Sequence, residues 1–125
     1  MPFWFRETQL TRRPEFFSSR LQAESWRLIT TNAVVIETYA LLLVRTREGR
    51  SKAIEFLDRL DRTTVHVERV HVEDERQAIA LVRAHTDKTY SLCDALSFVV
   101  MERLRVAEAI AYDRHFREYG HFTIL

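Results

Sequence analysis

The spacing of apolar residues along this chain changes several times, and each change marks an element. Pro14 can open a helix, because its missing N–H is not needed in the first turn. Phe16, Phe17, Leu21 and Trp26 then give a rough helical stripe. Arg27, Leu28, Ile29 and Thr30 read as a short strand. Thr31 or Asn32 can cap the next helix, since either side chain accepts a bond from a free backbone N–H. That helix is predicted to run to about Arg47, with Gly49 marking the break. Ile54, Leu57 and Leu60 share one side of an amphipathic helix over 51–60. Val65, Val67 and Val70 are β-branched and lie in an alternating stretch over 63–72, which favours a strand. Ala78, Ile79, Leu81 and Val82 are the apolar set of a helix over 73–85, and a polar loop follows over 86–90. The helix over 91–104 is rich in apolar residues and is expected to be deeply buried. Residues 107–112 are short and apolar, as in a buried parallel strand. A short helix or turn over 113–119 and a last strand over 122–125 complete the order. Strands alternating with helices predict an α/β domain with a mainly parallel sheet.

Composition narrows this picture. The 125 residues are 46% apolar, enough for one core, and no repeat or low-complexity run suggests a second domain. Two glycines and two prolines leave little room for linkers. The net charge of +1, from 19 basic and 18 acidic residues, is not that of a strongly basic nucleic-acid binder. It does not exclude a nuclease, which holds its substrate only briefly. A single cysteine, Cys93, excludes an internal disulfide framework and a Cys-rich zinc site. No apolar run approaches the ~20 residues of a membrane span, and no signal-peptide hydrophobic region is present. The expected location is therefore the cytoplasm.

In an open α/β sheet, ligands bind beyond the carboxyl ends of the strands. That rule selects three acids. Asp113 follows the 107–112 strand directly. Glu37 lies about one turn into the helix that follows Thr31 and Asn32. Asp94 lies in the first turn of the helix that starts at Ser91. All three have apolar neighbours in sequence, where an ionised carboxylate is costly unless something pairs with it. Clustered carboxylates also repel one another. A hard divalent cation, Mg²⁺ or Mn²⁺, prefers oxygen ligands and would relieve both problems. Each acid also has an ordinary structural role open to it. Asp94 can favour a helix N-terminus through the dipole, Asp113 can cap a helix, and Glu37 can pair with a buried Arg.

The order Thr-Thr-Asn…Glu, then Ser-x-x-Asp, then Ala-Tyr-Asp-Arg-His-Phe resembles the PIN-domain nucleases, and especially the VapC-like toxins. Residues 30–37 look like the family's strand-to-helix segment with its second acid. Residues 91–98 look like the segment of its third acid, and 113–116 like that of its fourth. The resemblance covers about 16–125. It implies a PIN-like, Rossmann-like sheet flanked by helices, in one domain over 1–125 with an atypical segment at 1–15. It implies cleavage of single-stranded RNA assisted by Mg²⁺ or Mn²⁺, with Glu37, Asp94 and Asp113 as metal ligands and catalytic residues. Thr31, Asn32 and Ser91 could support the site by hydrogen bonding to ligands or phosphate, and helix capping competes for each of them. A homodimer and a VapB-like antitoxin, whose tail enters the acidic groove, are the partners the resemblance implies.

One departure stands out. PIN domains usually begin with a hydrophobic mid-sheet strand ending in Asp-Thr or Asp-Ser, whose Asp is the first metal ligand. Here no Asp precedes Asp58. Either the chain is a truncated form, or residues 2–8 stand in for that strand, with Glu7-Thr8 in place of Asp-Thr. The alternative to an active ribonuclease is therefore a degenerate PIN domain, acting as a binding or oligomerisation module. Other chemistry is weaker. His66, His71, His85, His115 and His121 make no zinc spacing. His66 and His71 flank a strand and read as surface residues, and His115 as an exposed helix position. Cys93 reads as a small buried apolar residue rather than an activated thiol.

Overall fold

The computed structural model describes the backbone of residues 4–6, 27–110 and 123–124, and the side chains of 27–109. The described elements run β1 (Trp4–Arg6), β2 (Leu28–Thr31), α1 (Asn32–Arg45), α2 (Gly49–Asp61), β3 (His66–Glu68), α3 (Val72–Ala84), α4 (Leu92–Arg103), β4 (Glu108–Ile110) and β5 (Thr123–Ile124). The helices expected over 14–26 and 113–119 lie outside the described residues.

The strands form one sheet in the order β3-β2-β1-β4-β5. β2 and β3 pair in parallel, with Thr31 opposite Glu68, and β4 and β5 also pair in parallel. The α1–α2 and α3–α4 connections supply the crossovers that same-direction strands require. β1 is antiparallel to both neighbours. Phe5 lies opposite Ile29 and Ala109, and Arg6 opposite Leu28 and Glu108. β2, β3, β4 and β5 therefore share one direction, and the expected mainly parallel α/β sheet is present with its middle strand reversed. That reversal bears on Glu7. Arg6, the last residue of β1, is level with the first residues of β2 and β4, away from Thr31 at the far end of β2. Glu7 itself lies outside the described residues.

Local chemistry explains the boundaries. α1 stops at Arg45 because both the hydroxyl and the N–H of Thr46 bond to the Leu42 carbonyl, at 2.6 and 3.3 Å, while Thr46 turns extended. Gly49 opens α2 rather than lying in a break. A Cβ there would run into the Leu43 carbonyl oxygen, so only glycine lets α2 begin this close to the end of α1. The strand expected over 63–72 is shorter, since Val70 N–H leaves the ladder and bonds to Asn32 Oδ1 at 2.9 Å.

The core gathers on α4. Every residue from Asp94 to Met101 is buried, as a helix that is apolar nearly all round requires. Phe98, Val100 and Met101 pack with Ile29, Val34 and Val106 against the sheet. Ala95, Leu96 and Val99 pack on Ala78 of α3. Tyr90 meets Phe98 edge-on, with ring centroids 5.2 Å apart. Truncating Phe98 to Ala would cost about 3–5 kcal/mol by loss of burial and creation of a cavity. α1 instead leaves Ile36, Ala40, Leu43 and Val44 exposed along one face. No described helix is long and apolar enough to cross a membrane.

Candidate active site

The two described acids are each set by a capped helix start. Thr31 ends β2 in an extended conformation, and its hydroxyl accepts from Val34 N–H at 3.2 Å. This cap starts α1 and sets Glu37, half-buried, in the second turn. Ser91 caps α4 in the same way. Its hydroxyl accepts from Asp94 N–H at 3.0 Å, and Asp94 Oδ2 accepts from Ser91 N–H at 3.1 Å. The reciprocal pair satisfies two amides that a helix N-terminus otherwise leaves free. It also fixes the rotamer of Asp94, which is only 7% exposed.

Cys93 on α4 lies where the charges of Glu37 on α1 and of Asp94 both act on its thiol. Burial above all, then the negative charges of Glu37 and Asp94, pushes the Cys93 thiol well above its ordinary range. Cys93 is thus held as a neutral thiol. It lacks the electropositive setting that activates a thiol. Cys93 is half-buried rather than fully buried, and an unreactive thiol is what its sequence setting predicts.

The structure therefore sets Glu37 and Asp94 near the starts of α1 and α4, where the charges of both act on Cys93. Asp113 lies outside the described residues. Among the described residues no three of His, Cys, Asp or Glu form a group able to hold a metal ion. The donor type of the two acids nonetheless suits a hard cation, since both offer carboxylate oxygens. Of the expected supporting residues, Thr31 and Ser91 are helix caps. Asn32 ties the start of α1 to the β3–α3 connection through Val70. Two clefts lie elsewhere. One of about 690 Å³ is lined by Arg50, Asp58 and Arg62 of and beside α2, and one of about 530 Å³ by Ile36, Leu57 and Arg69. Neither is lined by Glu37 or Asp94.

A second charged cluster was not foreseen. Arg103, the last residue of α4, bonds to Asp74 Oδ1 and Oδ2 and to Glu68 Oε2, each at 2.9 Å. His71 N–H donates to Asp74 Oδ2 at 2.8 Å, and His66 Nε2 lies 2.9 Å from Glu68 Oε1. His66 and His71 are exposed, as expected. The cluster sits at the end of α4 remote from Asp94 and braces the α3–α4 hairpin.

Comparison with known proteins follows the same lines. The PIN domain family model matches residues 9–121. The 23S rRNA-specific endonuclease VapC20 of Mycobacterium tuberculosis, from strains CDC 1551 / Oshkosh and ATCC 25618 / H37Rv, is 34% identical over 97 residues, spanning 78% of this chain and 72% of the relative. The crystal structure of M. tuberculosis VapC20, a sarcin-ricin loop cleaving toxin, superposes with a TM-score of 0.72 at 32% identity, over 88% of this chain and 84% of that one. This chain belongs to the PIN domain family.

Proposed function

We propose that this chain is a toxin–antitoxin type endoribonuclease that cleaves single-stranded RNA with the help of Mg²⁺ or Mn²⁺. The observation that carries this reading is that capped helix starts set both acids: Thr31 caps α1, with Glu37 half-buried in its second turn, and Ser91 caps α4, with Asp94 buried in its first. Its support is the similarity to a protein named as an rRNA endonuclease. Glu37, Asp94 and Asp113 would hold the ion. When bound, such an ion supplies a more acidic water and positive charge beside the phosphate. The chain's own part is orientation. The Ser91–Asp94 box aims one carboxylate, α1 presents the other from its second turn, and the packed core of α4 keeps them in place.

Partners belong to the same proposal. Ile36, Leu43 and Val44 are 67%, 40% and 74% exposed on one face of α1, which supports coverage by protein. A second copy is the reading adopted here, with a VapB-like antitoxin as the regulator. Light scattering at micromolar protein tests the dimer, and a monomer there would contradict it.

A second reading has one specific observation in its favour. No Asp precedes Asp58, and β1, in the middle of the sheet, runs antiparallel and ends in Arg6. A PIN domain without its first acid could act by binding alone. Thermal melting in millimolar Mn²⁺ separates the two readings, because an ion that binds only the folded state raises the melting temperature. A rise that Asp94→Asn removes supports the nuclease. No shift in the wild-type chain supports the binding module.

A further inference from the structure

We infer that β3 is an interface between two copies of this chain, pairing antiparallel with β3 of the second copy about a two-fold axis at Val67; this rests on the reading that a second copy covers the α1 face. β3 is the edge of the sheet, and among the described residues β2 is the only strand paired with it. The outer N–H and C=O groups of an edge strand are a template for another chain. Edges are commonly blunted by Lys, Pro or a bulge, and His66-Val67-Glu68 contains neither Lys nor Pro. The edge is also held firmly. Arg103 Nη1 donates to Glu68 Oε2 at 2.9 Å, and Asn32 Oδ1 accepts from Val70 N–H just beyond the strand.

The chemistry of β3 is complementary to itself. His66 and Glu68 lie on either side of Val67 and share one face of the strand. An antiparallel pair centred on Val67 sets each His66 opposite Glu68 of the second copy. Within one chain His66 Nε2 already lies 2.9 Å from Glu68 Oε1, so the pairing extends an existing contact across the axis. Opposite charges directly across a ladder attract, and like charges repel. The other face of the strand is apolar. Val65 and Val67 line the cleft of about 530 Å³ with Val35 and Ile36 of α1 and Leu57 and Leu60 of α2. Ile36 also begins the exposed apolar row of α1 that continues through Leu43 and Val44. The edge and that row are therefore one continuous surface. A three-residue ladder falls far short of the roughly 1,200–2,000 Å² that a stable interface buries. The apolar row supplies area, and β3 supplies direction and register.

Two variants test this. Cys93 is the only cysteine, so Val67→Cys made together with Cys93→Ala carries a single thiol. Residues directly opposite in an antiparallel pair lie about 4.5–5.5 Å apart at Cα, within reach of a disulfide. Mild oxidation should link this variant into dimers on a non-reducing gel. Arg76→Cys in the same background, at an exposed position on α3, should link far less. No link through position 67, or equal linking in both, overturns the edge pairing. His66→Glu, at an exposed position, sets like charges opposite each other and should weaken dimerisation on the order of tenfold in sedimentation. Unchanged affinity in that variant also overturns the pairing. Wild-type dimers alongside either result leave the dimer reading standing on the α1 face alone. A wild-type chain that stays monomeric at micromolar concentration leaves the cleft to another partner, the antitoxin among them, and overturns both.

Discussion

Arg103 grips both carboxylate oxygens of Asp74, through Nε and Nη2 at 2.9 Å each, and so joins the last residue of α4 to the first turn of α3. Asp74 is 2% exposed, and the Arg103 side chain 28%. Removing one partner of a nearly buried pair leaves an uncompensated charge. Asp74→Ala should therefore cost about 2–4 kcal/mol in urea unfolding, scaled below the fully buried case by the exposure of Arg103. Arg103→Lys should cost about 1–2 kcal/mol, because a point charge cannot span both Asp74 oxygens and Glu68. Neither change should alter Mn²⁺ affinity, since the cluster lies at the other end of α4 from Asp94.

The same cluster sets an acid limit. Glu68 is held below its ordinary value of 4.5, chiefly by the hydrogen bond with His66, with burial opposing and Arg103 assisting. For Asp74, burial alone would raise the value above its ordinary 3.8. Hydrogen bonds from Arg103 and from His71 N–H outweigh it, and the carboxyl is held low. A carboxylate with a depressed folded value contributes stability that is complete above its unfolded value and is lost as pH falls through the folded one. Melting temperature should thus begin to fall below about pH 4.5 and continue falling below 3.8. In Asp74→Asn that fall should be shallower. An equal slope in both proteins would remove Asp74 from the explanation.

The cap at Ser91 separates structure from charge. Ser91→Ala should cost about 1 kcal/mol, the usual worth of an N-cap hydroxyl. Asp94→Asn keeps an oxygen that can accept from Ser91 N–H, but removes the negative charge beside Glu37. In metal-free buffer the Asn variant should melt higher than wild type, because two close carboxylates repel. A lower melting temperature would mean that the helix-dipole contribution of Asp94 outweighs repulsion from Glu37.

Thr38 offers a test away from the site. Its hydroxyl is buried in α1 with no hydrogen-bond partner among the described residues, and the residue is 4% exposed. Val has nearly the same shape and no polar atom to desolvate. Thr38→Val should be neutral or stabilise by about 1 kcal/mol, read as a shift of the urea midpoint at constant slope. Destabilisation would show that the hydroxyl finds a partner in solution.

Much of the fold was legible because the signals are local. The β2–α1 junction was readable from Thr31 and Asn32, which are cap formers set before an apolar run. The burial of α4 was readable from Leu-Cys-Asp-Ala-Leu-Ser-Phe-Val-Val-Met, which offers no polar stripe. The Ser91–Asp94 pair was visible as Ser-x-x-Asp. What escaped depends on contacts across long separations. Asn32 reaches Val70, and Arg103 reaches Asp74 and Glu68, through geometry that appears only once β2, β3 and α3 are assembled. The direction of β1 is of the same kind, since three residues carry no sign of whether they pair parallel or antiparallel. The candidate site was legible as two acids with their helices.

Cleavage of a single-stranded RNA fragment, with Mg²⁺ or Mn²⁺ and again with EDTA, tests the central claim most directly. Wild-type protein should cut the fragment only when the ion is present, and Asp94→Asn, prepared identically, should leave it intact. Equal cutting by the two proteins, or cutting that persists in EDTA, would contradict a metal site built on Glu37 and Asp94.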